Sequence, residues 1–155
     1  MEAKKGWQSV IKEPIVYKKI LVAFDGSQGS WQALRAGIGL AREQDAEICA
    51  LSVVEHLPHY AATVGEVEEA KAERDAYFHR LQGQAAEAAE AHGVKISLQI
   101  LPGHAAQAIV EYARRGSFDL IVMGHSGHSG IWGTFLGTTT DKVSRHAHCA
   151  VLIVR

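Results

Sequence analysis

The chain has 155 residues, about one domain's worth. Apolar residues make up 47% and charged residues 21%, which suits a folded soluble protein and excludes collagen-like, disordered and coiled-coil classes. With 16 basic and 17 acidic residues the formal charge is −1, which argues against a general nucleic-acid binder but not against a small anionic ligand held by one loop.

No apolar run approaches the ~20 residues needed to span a bilayer. The longest, Ile20 to Phe24 and Ala150 to Val154, are strand-sized. Residues 1–14 carry Lys4, Lys5 and Lys12 but lack a signal-peptide apolar region and a small-residue cleavage site, so a cytoplasmic protein without membrane contact is expected. Cys49 and Cys149 sit inside apolar runs and read as buried free thiols. No CxxC pair suggests a redox or zinc motif.

Residues 1–14 read as an extension: either a short helix with Trp7, Val10 and Ile11 on one face, or a loosely docked segment. Residues 15–155 read as one α/β domain. Lys18 to Phe24 is a buried strand, ended by the turn Asp25-Gly26-Ser27. Residues 28–44 place Trp31, Leu34, Ile38 and Ala41 at helical spacing, with Gly37 and Gly39 inside the pattern as marks of close packing. Glu47 to Val54 is a second strand. A loop with Pro58 leads to a long helix over Glu66 to His92, where Ala72, Ala76, Leu81, Ala85 and Ala88 share a face and Gly93 ends the run. Val94 to Leu101 alternates partially, as an edge strand would. Ala105 to Arg115 is a short helix with Ile109, Val110 and Ala113 inward, and Phe118 to Met123 is a fourth strand. After a glycine-rich loop, Thr138 to His146 is a helix and Cys149 to Val154 the last strand.

Strands that are apolar throughout must be covered on both faces, so the alternation implies an open, doubly wound parallel sheet. Ligands of such sheets bind beyond the carboxyl ends of the strands where strand order reverses, which directs attention to Asp25, Val53-Val54 and Met123-Gly124.

The loop Gly124-His-Ser-Gly127-His-Ser-Gly130-Ile-Trp-Gly133-Thr-Phe-Leu-Gly137 runs from a buried strand into a helix start. Glycines let backbone amides converge on an anion, and the helix dipole favours phosphate there. Thr138 either caps the helix by accepting from the Asp141 amide or offers its hydroxyl to phosphate beside Thr139 and Ser126. Asp25 either meets ribose hydroxyls or caps the turn through the Gly26 and Ser27 amides. The nine histidines are scattered and read as solvated groups rather than a metal site. No motif positions a catalytic base, and no Lys or Arg lies between Arg115 and Lys142, so no catalytic residue is assigned.

The spacing Gly124-x2-Gly127-x9-Gly137-Thr138 resembles the G-x2-G-x9-G-[S/T] nucleotide motif of the universal stress protein family. KKILVAFDGS, LSVVE, LIVMGHSG and CAVLIVR, in that order, resemble the same family over about Tyr17 to Arg155. The resemblance implies five parallel strands in order 3-2-1-4-5 and a domain that binds ATP or AMP, read here as a regulator. With no Lys or Arg between Arg115 and Lys142, the phosphates would rely on amides, hydroxyls, the helix dipole and a divalent cation such as Mg. A slow ATPase, or a partner-binding dimer with a vestigial site, are the alternatives. Carried over by position, Ala23, Phe24 and Asp25 would flank ribose and adenine, and Val53 would meet adenine. Met123, Gly124, Gly127, Gly137, Thr138 and Thr139 would surround ribose and phosphates. His125 and His128 depart from the family's usual loop start and would add positive charge when protonated. The family's dimer would pair Cys149 to Arg155 with its twofold mate, covering an apolar edge.

Overall fold

The computed structural model describes residues 6, 8, 10, 11, 13–56, 63–126 and 136–155. The expected glycine-loop residues Gly127 and His128, and Trp7 of the extension, lie outside them. Strands β1 (Lys19–Ala23), β2 (Glu47–Val54), β3 (Ile96–Pro102), β4 (Leu120–Gly124) and β5 (Ala150–Val154) alternate with helices α1 (Gln28–Gln44), α2 (Val64–Glu90), α3 (Ala105–Arg115) and α4 (Thr138–His146). Every strand pair is parallel, as the apolar strand pattern implied, and the sheet order is β3-β2-β1-β4-β5, as the family resemblance implied.

The continuous apolar runs of β1 and β4 arise because both faces of the central sheet are covered. On one face Ile20, Val22, Ile48 and Ala50 pack with Leu34 and Ile38 of α1 and Leu81, Ala85 and Ala89 of α2. On the other, Leu21, Leu51, Ile121 and Met123 pack with Ile109 and Ala113 of α3 and Val143 of α4. Gly37 belongs to the first layer: a Cβ there would lie 2.6 Å from Val22 Cγ2, so α1 sits closer to β1 than any side chain permits. The edge strands β3 and β5 are only half-covered, with Leu98 and Leu152 exposed.

Some element bounds and burial readings need correction, among them the start of β3 at Ile96 rather than Val94. α2 starts two residues before Glu66, because Thr63 and Glu66 form a reciprocal capping box: the Glu66 carboxylate accepts from the Thr63 amide at 2.8 Å. Ala72 and Ala76 are exposed, since α2 outruns the sheet and only Leu81, Gln82, Ala85 and Ala89 are buried. Phe118 lies outside β4, although it is buried in the second layer. Of the two thiols, Cys49 is buried but Cys149 is only half-buried, because it precedes an edge strand. Burial pushes the Cys49 thiol pKa up.

Among the described residues no helix is long and apolar enough to cross a membrane.

Candidate nucleotide site

β1 is the switch point, since the chain adds β2 and β3 on one side of it and then β4 and β5 on the other. Just past its carboxyl end the backbone turns under tight control. Phe24 donates its N–H to the Leu51 carbonyl at 2.9 Å, and the Ser52 hydroxyl donates to the Phe24 carbonyl at 2.6 Å. Gln82 of α2 donates to the Ser52 hydroxyl at 2.6 Å, so a buried polar chain fixes where β1 ends. Asp25 then accepts from the Ser27 amide at 2.9 Å, which is the turn-capping arrangement expected as one of its two roles. Gly26 takes φ +83°, and a Cβ there would lie 2.7 Å from the Tyr77 hydroxyl. That hydroxyl donates to the Asp25 carbonyl at 3.3 Å and brings α2 against the turn. Ser27 caps α1 by accepting from the Ser30 amide at 3.3 Å.

The far wall is the end of β4. The His125 amide donates to the Val154 carbonyl at 2.8 Å, and the His125 carbonyl accepts from the Gly137 amide at 2.9 Å. The glycine loop therefore leaves and returns at one backbone point, pinched shut at its base. The Thr140 hydroxyl donates to the Gly124 carbonyl at 2.8 Å, locking the first turn of α4 to β4. Gly124 is itself required. A Cβ on it would lie 2.5 Å from the backbone of Gly29, which opens α1.

These elements enclose a cleft of about 490 Å³, within the range of small-molecule sites. Ala23, Phe24 and Asp25 line it from β1, Val53 from β2, and Met123 and Gly124 from β4. Gly137, Thr138 and Thr139 line it from the start of α4. The structure thus brings together all the expected site residues that it describes except His125, which is not among the lining residues and contributes its backbone to the pinch.

The capping expectation for Thr138 is overturned. Gly137 is the N-cap of α4, and its carbonyl accepts the Asp141 amide at 2.8 Å. Gly137 is held extended, with ψ 146°, so the helix begins one residue earlier than a Thr138 cap requires. Thr138 is the first helical residue, and its hydroxyl has no capping role.

The described lining carries two carboxylates, Asp25 and Glu55, and no Lys, Arg or His. Glu55 was not anticipated. Its carboxylate accepts from the Ala105 amide at 3.1 Å and so serves as a distant cap for α3, whose own N-cap His104 makes no side-chain bond. A residue 50 positions away gives no local sequence signal for such a bond. Thr140 and Gly29 were also missed, although a glycine in the first turn of a helix was a visible cue. An anion in this cleft would be held by N–H groups, hydroxyls and the open start of α4.

The family model described as "Universal stress protein family" matches residues 16–155. The chain belongs to the universal stress protein family. A universal stress protein of Methanocaldococcus jannaschii is 39% identical over 145 residues, covering 90% of this chain and 83% of that one. Among solved structures, the universal stress protein UspA from Lactobacillus plantarum superposes with a TM-score of 0.83 at 26% identity, covering 92% of this chain and 100% of that one. A universal stress protein solved in complex with cAMP superposes with a TM-score of 0.70 at 28% identity, covering 91% of this chain and 99% of that one. The sheet order found here agrees with that family membership.

Proposed function

We propose that this universal stress protein is a regulatory protein that binds an adenine nucleotide, ATP or AMP, in the cleft between β1 and β4. The observation that carries the reading is the start of α4, which has no side-chain cap among the described residues, with Thr138 and Thr139 lining a cleft at the sheet's switch point. The family relative in complex with cAMP supports the adenine class of ligand. Ala23, Phe24, Asp25 and Val53 would hold the nucleoside end. Met123, Gly124, Gly137, Thr138 and Thr139, with Gly127 of the loop, would hold ribose and phosphates. His125 and His128 join this set from their place in the loop sequence, and the His125 backbone closes the base of the loop.

The protein would act as a homodimer in which β5 and its flanks, Cys149 to Arg155, pair with a second copy. The half-covered edge strand with exposed Leu152 supports this. Mass spectrometry of small molecules released from purified protein tests the ligand, with an adenine nucleotide as the expected species. Calorimetry then tests the site. Gly127→Val should abolish measurable ATP and AMP binding, and unchanged affinity would refute the site. Sedimentation of wild type should give a dimer at micromolar concentration.

A further inference from the structure

A second hollow, of about 420 Å³, lies between α1 and α2, away from the cleft. Its wall is apolar, built from Trp31, Leu34, Ile38 and Ala88, while Arg35, Arg42 and His92 stand around it. Among the described residues no carboxylate lines it, in a chain whose net charge is −1. Arg42 meets Glu43 at 3.5 Å in an exposed pair, a contact too weak to hold the guanidinium in place. His92 Nδ1 lies 2.9 Å from the Ala88 carbonyl and donates to it.

Gly39 lines the same hollow. Glycine is the poorest residue for a helix interior after proline. Gly37, two positions earlier, is accounted for by its contact with Val22, but a Cβ at Gly39 would meet nothing within 4 Å. The close packing expected at Gly39 is therefore not found, and packing among the described residues does not call for a glycine there. Its missing side chain leaves open the stretch between Arg35 and Arg42, which share its helix face and stand about 10 Å apart along the axis.

We propose that this groove binds a small amphipathic anion. An apolar chain or ring lies along Trp31, Leu34 and Ile38, and a carboxylate is taken by Arg35 and Arg42. The apolar wall selects the body and the surplus of cations selects the head. The groove's volume suits a small molecule rather than a protein segment. The inference is independent of the nucleotide reading, because none of these groove residues lines the cleft.

The test uses dodecanoate below its micellar concentration, with the full chain carrying Trp7→Phe and Trp132→Phe so that Trp31 is the sole indole. Saturable binding of one dodecanoate per chain is expected by calorimetry, together with a shift of Trp31 emission. Gly39→Leu should weaken binding at least about tenfold by filling the groove. Its thermal midpoint should equal or exceed that of wild type, since leucine is the better helix former. Arg35→Gln with Arg42→Gln should weaken binding by a similar factor, and uncharged dodecanol should bind more weakly than dodecanoate. Equal binding to wild type and Gly39→Leu, or dodecanol binding as tightly as dodecanoate, would overturn the proposal. A Gly39→Leu chain that changes its oligomeric state but not its dodecanoate binding would give the groove to a second copy instead.

Discussion

Three helices begin at the cleft, and their starts are treated differently. α1 is capped by Ser27, two residues past the Asp25 turn. α3 has no local side-chain cap, but Glu55 reaches across from the end of β2 to accept its Ala105 amide. Among the described residues α4 has no side-chain cap, and Thr138 and Thr139 of its first turn line the cleft. Every helix start carries unsatisfied N–H groups and a positive dipole end. At α3 the chain supplies its own anion, whereas at α4 it supplies glycine and hydroxyls. Asp141 would oppose an anion at α4, but Arg145 of the same helix holds it, with Nε 3.0 Å from Oδ1 and 3.1 Å from Oδ2. Among the described residues, α4 is thus the one start of the three that meets the cleft without a side-chain cap.

The largest expected effect breaks the frame that holds α4 in place. Gly124→Val puts a Cβ against the Gly29 backbone, which cannot yield as a side chain would. A loss of about 1–3 kcal/mol or more is expected in urea unfolding, together with loss of nucleotide binding. An unchanged midpoint would mean that the end of β4 and the start of α1 are not in close contact.

Next in size is a split between neighbouring threonines. Thr140 is buried and its hydroxyl serves the Gly124 carbonyl, so Thr140→Val should cost about 1–3 kcal/mol of stability. Thr138 is exposed on the cleft and has no capping bond, so Thr138→Val should leave stability within about 0.5 kcal/mol of wild type. If its hydroxyl meets phosphate, ATP affinity should fall about three- to tenfold, as the loss of one hydrogen bond implies. Calorimetry and urea titration on both variants read the split. Equal behaviour would mean that the first turn of α4 is not divided between structure and ligand.

The smallest effect sharpens the comparison itself. Glu55→Gln keeps an oxygen for the Ala105 amide but removes the carboxylate's charge from the cleft wall. ATP should then bind about two- to fivefold more tightly at low ionic strength, the scale of one charge at a helix end. The gain should shrink as salt is added. Weaker binding in this variant would assign Glu55 to the ligand rather than to α3.

Much of the architecture was legible because each layer imposes a period. The bounds of β2, α1, α3 and α4 coincide with the apolar patterns, since each of these elements packs against the sheet along most of its length. α2 was legible only in its second half. Ala72 and Ala76 keep helical spacing with Leu81, but spacing records which residues share a face, not how far the sheet extends beneath them. The capping box at Thr63 was readable and went unread, because the helix was placed from Glu66 onward. In the site, Asp25, Val53, Met123 and Gly124 followed from the fold rule for parallel sheets, whereas Ala23 and Phe24 came from the family resemblance. What escaped were long-range polar bonds. Gln82 to Ser52 and Glu55 to Ala105 join residues 30 and 50 positions apart, and nothing in a polar residue's neighbours reveals that it will be buried or recruited as a cap.

The overhang of α2 also divides the domain's resistance to opening. Its last three turns hold Leu81, Gln82, Ala85 and Ala89 in the core, so their amides should exchange with solvent only when the whole domain unfolds. Its first turns are held by the Thr63–Glu66 cap and by the Arg74 guanidinium donating to the Glu55 carbonyl at 3.1 Å, with little apolar burial behind them. Those amides should exchange through local fraying at a small fraction of the global free energy. Tyr77 and Phe78, at the border between the two regimes, line the cleft. The outer wall of the cleft is therefore made from the part of a single helix that should open while the sheet beneath it stays folded.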